Sequence, residues 1–289
     1  MNIPKRVASF VGLQLIVVCA ACWAFEAEFV GASNASLGNP HDIKLSPDAR
    51  HLFVSDVDNN RVAVLDAETL ALVDAFGADH QNGTHDVDFD AQGRLYVADT
   101  HNHRVGIYRM NGLQGDLVGQ LAEVKLSKPE GVLVHPNGRV YVTGAGSGNI
   151  VAFAGGKANA EAGGLSAPHD IEMAPNGDLW IADAGNDRLV RMTPALQLVS
   201  VLDDDRYAFA GPRYLDVLGD GTLIVADKYS HSVKFIAADG RLIATLGDRR
   251  AGRGPHQFRT PEGVEVRGKI LWIADSGNDR VVKYRFSLD

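Results

Sequence analysis

The chain has 289 residues, 45% of them apolar, with 31 glycines and a net charge of −8. That is enough apolar material for a sizeable core, and abundant glycine with scattered charge suits a turn-rich all-β protein better than a helical one. The acidic balance has the wrong sign for nucleic acid, so no nucleic-acid partner is expected.

At the N-terminus, Lys5 and Arg6 precede an apolar run from Val7 to Trp23, broken only by Ser9, Gly12 and Gln14. A basic start, an apolar stretch and the small residues Ala20 and Ala21 read as a secretory signal over residues 1–22. The folded domain then occupies 23–289, exported to the periplasm or the extracellular space. The run approaches the roughly 20 residues that cross a bilayer, so an uncleaved anchor is the alternative, and membrane attachment is expected through the N-terminus only. Both cysteines, Cys19 and Cys22, lie in this segment, which leaves the domain without a disulfide and dependent on packing or a bound metal. Without Lys5 and Arg6 there are 26 basic and 36 acidic residues, a balance of −10.

From residue 41 onward one phrase recurs. It reads LFVSDVDNNRV around Asp56, LYVADTHNHRV around Asp99, VYVTGAGSGNI around Thr143, LWIADAGNDRL around Asp183, LIVADKYSHSV around Asp227 and LWIADSGNDRV around Asp275, in steps of 43, 44, 40, 44 and 48 residues. Short alternating apolar runs bounded by Gly, Asn, Asp and Pro are antiparallel strands joined by hairpins. Several strands per repeat of about 40–45 residues mean propeller blades.

A further strand opens each copy, at His41, His85, Glu130, His169, Arg213 and Glu262, and a fourth closes it, as in Ala71–Phe76 before Gly77. Four strands in each of six units predict a six-bladed β-propeller. The last copy stops after its third strand, at Tyr284–Asp289, while Phe25–Val30 before Gly31 resembles Ala71–Phe76. The N-terminal strand is therefore expected to complete blade six and close the ring, removing a free sheet edge. A closed ring of this kind is expected to be a monomer.

The strand-ending Asp of each copy reads as structural, accepting hydrogen bonds from the backbone N–H groups of the turn that follows, with the next Asn and Arg bracing that turn. The blade-opening position is more informative because it varies. Inner strands line a propeller's channel, so His41, His85, Glu130, His169, Arg213 and Glu262 are expected to form one ring. A solvated polar mouth without a ligand is the plainer account of it. The loop 247–259 leaves a fourth strand and enters an inner one, so it should hang on the same face, where Arg249, Arg250 and Arg253 could hold a substrate carboxylate. No Gly-rich phosphate loop and no Gly-x-Ser-x-Gly elbow is present, which counts against nucleotide and serine-hydrolase chemistry.

The Pro-x-x-Val/Ile opening, the Gly-x-Leu-Tyr/Trp-Val/Ile-Ala-Asp second strand and the Asn-x-Arg-Val turn resemble NHL repeats over roughly residues 40–285. Blade three departs most, with Thr143 in place of Asp and Asn149 in place of Arg. Pro40-His41-Asp42-Ile43 and Pro168-His169-Asp170-Ile171 resemble motifs of the peptidyl-α-hydroxyglycine α-amidating lyases, six-bladed propellers of this type. That resemblance implies a catalytic zinc in the channel and cleavage of the N–C bond of a hydroxylated C-terminal glycine, giving a peptide amide and glyoxylate.

His41, His85 and His169 match the family's histidine position, and Tyr229 matches a family tyrosine two residues after a strand-ending Asp. The family takes its histidines from alternate blades, whereas these come from blades one, two and four. Alternate blades two, four and six offer His85, His169 and Glu262, an acceptable zinc set of two histidines and a carboxylate, with His41 as a substituting ligand. Arg213 is the ring's candidate for the family's catalytic arginine. A structural calcium ion is the other metal considered. The rival expectation is a binding scaffold whose top-face loops take a protein, peptide or glycan, in place of a small peptide or carboxylate-bearing substrate.

Overall fold

The computed structural model describes residues 25–34 and 36–288; the expected signal or anchor lies outside them. Six four-stranded antiparallel sheets follow one another as blades. Blade one runs Pro40–Leu45, His51–Asp56, Arg61–Asp66 and Leu72–Phe76, and the same order repeats through blades two to five. Blade six takes Val264–Arg267, Ile270–Asp275 and Arg280–Leu288 from the C-terminus and Phe25–Ala32 from the N-terminus. The ring closes as expected, with Phe25 opposite Leu288 and Phe29 opposite Tyr284. Phe29 meets the Tyr284 ring edge-on at 5.6 Å, and Phe25 reaches back to Phe235 of blade five at 4.7 Å.

The apolar residues that alternate along the strands pack between neighbouring blades. Ile224, Phe235, Leu271 and Tyr284 sit between blades five and six, and Leu52, Leu65, Trp272 and Val281 between six and one. Equivalent clusters fill the other four interfaces. Each blade thus lends one face to each neighbour, as in other repeat architectures.

The strand-ending aspartates are structural, but not by the expected bond. Asp56, Asp99, Asp183, Asp227 and Asp275 accept from the backbone N–H of Gly38, Asn82, Ser166, Ala210 and Arg259, in the loop that enters the same blade. The one-turn helices that follow receive no side-chain cap from them. The bracing by Asn and Arg is as expected: Asn59 and Arg61 donate to Asp56, and Asn278 and Arg280 to Asp275. In blade five, where Ser232 replaces the arginine, Lys234 reaches the same Asp227 carboxylate. In blade three the position belongs to Gly144 rather than Thr143, because Pro129 pairs with Gly144 as Thr84 pairs with Asp99. Thr143 instead donates its hydroxyl to the His169 carbonyl at 2.7 Å.

Each turn then ends in a left-handed residue that ties one blade to the next. Asn60, His103, Asp187, His231 and Asp279 have φ of 51–54°, and their side chains accept from the N–H of Gly83, Lys128, Gly211, Thr260 and Asn39. Asn and Asp tolerate this region well, and a polar tip is what the contact needs. His103 and His231 are accounted for by this work.

Candidate functional site

The inner strands kink at their start: their ladders shift between the first residue and the fourth in blades one to five. Two consecutive side chains of each blade can therefore face the axis. The blade-opening residues do meet there. His41, His85, Glu130, His169 and Glu262 are all buried, and Arg213 is partly so. His41 and His85 stand edge-to-face with ring centres 4.6 Å apart. His41 Nδ1 lies 3.4 Å from Glu262 Oε2, and His169 Nε2 lies 2.6 Å from Glu130 Oε2. The Arg213 guanidinium rests on the His169 ring, its Nη1 against Nε2 and 2.9 Å from Nδ1, and its Nη2 donates to the Tyr229 hydroxyl at 3.3 Å. Glu262 precedes its blade's inner strand but stays in the ladder, its N–H donating to the Ala274 carbonyl.

Burial decides the protonation states. It pushes the His41 imidazole down to about 3, against the opposing charge of Glu262, and pushes His85 down as well. Both are neutral bases with lone pairs to offer. Burial alone would raise the two carboxyls. Glu130 is nevertheless held at about 2 by its hydrogen bond and charge contact with His169, and Glu262 at about 2 by His41, Lys228 and Arg213.

Below the ring comes a second layer: Asp42, Asp86, Gly131, Asp170, Tyr214 and Gly263. Asp42, Asp86 and Asp170 accept from the backbone N–H of Val87, Val132 and Leu215 in the following blade, and burial raises all three carboxyls. A Cβ on Gly131 would fall 2.4 Å from the His169 carbonyl, and one on Gly263 would fall 2.2 Å from that of His41. Glycine is required where the neighbouring histidine backbone presses in. Tyr214 is fully buried. A third layer holds Lys44, whose Nζ lies 2.6 Å from Glu172 and 3.7 Å from Asp88, with Asp216 and Glu265 adding negative charge nearby.

The donor types suit a metal. His41 Nδ1 and Nε2 and Glu262 Oε2 are buried without hydrogen-bond partners, and imidazole with carboxylate is a zinc-type set. Among the described residues, however, no three His, Cys, Asp or Glu side chains stand together at metal-binding spacing. Two of the expected ligands are already engaged within the protein: Glu262 with Lys228 Nζ at 2.5 Å, and His169 with the Glu130 carboxylate at Nε2 and the Ala167 carbonyl at Nδ1. Lys228 and Tyr214 are absent from the sequence expectations. Both carried a signal, since Lys228 is the only charged residue to follow a strand-ending position, and Tyr214 is the only aromatic in a layer otherwise of Asp and Gly.

The loop arginines are less engaged. Arg253 donates to the Asn278 carbonyl at 2.8 Å, which keeps the loop over blade six. Among the described residues no hydrogen bond or ion pair joins Arg249, Arg250 or Arg253 to the ring.

A family model described as "NHL repeat" matches residues 84–108, in blade two. Blade two thus matches an NHL repeat, within a propeller of six four-stranded sheets. No curated protein matches it. Among solved structures, a streptogramin B lyase is 15% identical with a TM-score of 0.67, covering 91% of this chain and 98% of that one. Virginiamycin B lyase from Staphylococcus aureus is 14% identical with a TM-score of 0.65, covering 91% and 99%. An auxiliary nutrient binding protein from Bacteroides ovatus is 17% identical with a TM-score of 0.72, covering 92% and 77%. At such identities the likeness is one of fold, and propellers of one fold host unrelated activities.

Proposed function

We propose that the chain is an exported, zinc-dependent carbon–nitrogen lyase working at the ring, with a chemistry similar to that of the peptidyl-α-hydroxyglycine α-amidating lyases. The observation that carries this reading is the buried, neutral His41 with two unpartnered ring nitrogens beside the unpartnered Glu262 oxygen. Leaving such groups without a partner is costly, and a bound cation or substrate would repay it. Export rests on Lys5, Arg6 and the apolar run behind them.

In this reading His85, His169 and Glu262, or His41, would hold the ion, and the ion would supply Lewis acidity toward a substrate oxygen. Tyr229 takes the proton of the substrate hydroxyl. The electron pair released forms the carbonyl of glyoxylate, the C–N bond breaks, and the nitrogen leaves as an amide after gaining a proton. Tyr229 suits the role by position: it is exposed at the lip, with Arg213 and Lys228 each within 6 Å of its ring centre. Arg213 or the loop arginines hold the carboxylate.

The neighbours that are lyases and the one that binds nutrients share only the fold with this chain, so they do not choose between activities. One observation favours the scaffold reading instead: five of the six ring residues are at most 8% exposed, which leaves a small substrate little surface at the mouth. The deciding assay incubates the zinc-supplemented chain with a peptide ending in α-hydroxyglycine and follows glyoxylate. Release by wild type, and at least a hundredfold less by Tyr229→Phe, is the expected result. No release above the buffer rate would leave the scaffold as the better account.

A further inference from the structure

The residue after the strand-ending position is Val57, Thr100, Ala145, Ala184 and Ser276 in five blades and Lys228 in blade five. Where that residue is polar and short, it bonds the next blade's opening backbone: Thr100 Oγ1 donates to the Pro129 carbonyl and Ser276 Oγ to that of Pro40, each at 2.5 Å. Lys228 reaches past the backbone to the opening side chain itself, with Nζ 2.5 Å from Glu262 Oε1. The Glu262 side chain is only 1% exposed, so the ammonium is its counter-ion within the protein. The atoms left over on that side of the ring are Glu262 Oε2 and both nitrogens of His41, all buried and unpartnered.

We propose that Lys228 is a tethered cation that competes with a divalent metal for Glu262 and sets the metal affinity of the ring. This rests on reading the ring as a metal site. It explains why Glu262 stands apart from the other ligands: Lys228 holds it on one side of the channel, while Glu130 Oε2 engages His169 Nε2 at 2.6 Å on the other. A metal seated on Glu262 Oε2 and His41 would lie within a few ångströms of the ammonium, where like charges in a poorly solvated site repel strongly. Either the lysine swings to the lip on metal binding or the metal binds against its charge. In both cases its removal strengthens binding. Without metal, its removal leaves a buried carboxylate uncompensated, which destabilises the fold.

The experiment is zinc titration calorimetry, in the presence of a weak competing chelator, on wild type, Lys228→Met and Lys228→Arg. Thermal melts of each are taken with and without zinc. The proposal expects zinc to bind Lys228→Met at least tenfold more tightly than wild type, and Lys228→Arg, which keeps the charge, within threefold of wild type. It also expects Lys228→Met to melt lower than wild type without zinc and to regain more than wild type gains when zinc is added. Lys228→Gln, which can still donate to Glu262, replaces the Met variant if that does not fold. Zinc binding to wild type with equal or weaker binding to Lys228→Met and Lys228→Gln overturns the lysine's role and leaves the metal site standing. Absence of zinc binding in wild type and in every variant overturns both. Binding by Lys228→Met alone would support the competition most strongly.

Discussion

The Tyr214 hydroxyl crosses the channel from blade five and donates, at 3.0 Å, to the backbone carbonyl of His85 on the opposite blade. The phenol ring fills the axis under the histidines, 6.4 Å from His41. It makes the ring the mouth of a cup whose floor is Tyr214, and it satisfies a carbonyl that has left the ladder at the inner-strand kink.

Replacing Tyr214 by Phe should therefore cost about 1–2 kcal/mol, the loss expected when a buried carbonyl loses its donor. Tyr214→Ala should cost about 3–5 kcal/mol, because it also opens a cavity on the axis. Urea denaturation at neutral pH measures both. Equal stability of wild type and the Phe variant would mean that the His85 carbonyl finds its donor elsewhere.

Gly263→Ala tests the close approach of blade one to blade six. With a Cβ 2.2 Å from the His41 carbonyl oxygen, the backbone carrying His41 must move. A loss of about 1–3 kcal/mol is expected, in the range of overpacked cores. Gly93→Ala is the comparison. It has open space around its Cβ but a φ of 76°, so its cost is one of backbone strain alone. The ring histidines should shift in the two-dimensional NMR spectrum of the first variant and not of the second.

Removing residues 25–31 should destabilise the whole ring, since blade six would lose its fourth strand and Phe25 and Phe29 would leave the cluster between blades five and six. A melting temperature at least 10 °C lower, or association through the bared edge at Arg280–Leu288, is the expected outcome on calorimetry and gel filtration. A soluble monomer melting like the parent would contradict closure by this strand.

The third layer makes stability depend on pH. Burial holds the carboxyls of Asp88 and Asp216 at about 6, against 3.8 in the unfolded chain. Raised carboxyls bind protons more readily when folded, so their contribution grows as pH falls from about 6 to about 4 and is smallest above 6. These two carboxyls should therefore add on the order of 1–3 kcal/mol between pH 7 and pH 4.5, while His41 and His85, which burial holds below the 6.5 of the unfolded chain, give up stability over the same range. Below about 4 Asp48, held at about 2 by its bonds to Ser46 and Arg50, also gives up its contribution as it becomes protonated. Denaturation of wild type and Asp88→Asn side by side isolates the carboxyl: the stability of wild type relative to the variant should grow as pH falls from about 6 to about 4, and a constant difference would contradict it.

The architecture was legible because each copy repeats its turn chemistry, and six copies with a missing strand at one end and a spare strand at the other admit few topologies. The register of blade three was not: VYVTG carries a glycine at the aspartate position, and without that aspartate the neighbouring threonine was the nearest polar match. The ring's membership followed from one equivalent position. Its pairing did not, because Lys228 and Tyr214 come from positions that other blades fill with small residues or Asp. A single departure inside a repeat is weak as a pattern and strong as chemistry. The acceptor role of the strand-ending aspartates reached 16 to 18 residues back in sequence, farther than local turn rules look.

The account stands or falls on whether the ring holds metal. Wild type, His169→Ala and His85→Ala are purified without added zinc, dialysed against a weak chelator and analysed for metal by mass spectrometry, before and after exposure to one equivalent of zinc. The account predicts near-stoichiometric zinc in the wild type after exposure, loss in both variants, and binding that weakens as pH falls, since protons compete for the imidazoles. A wild type that takes up no zinc, or variants that take up as much as the wild type, would contradict it.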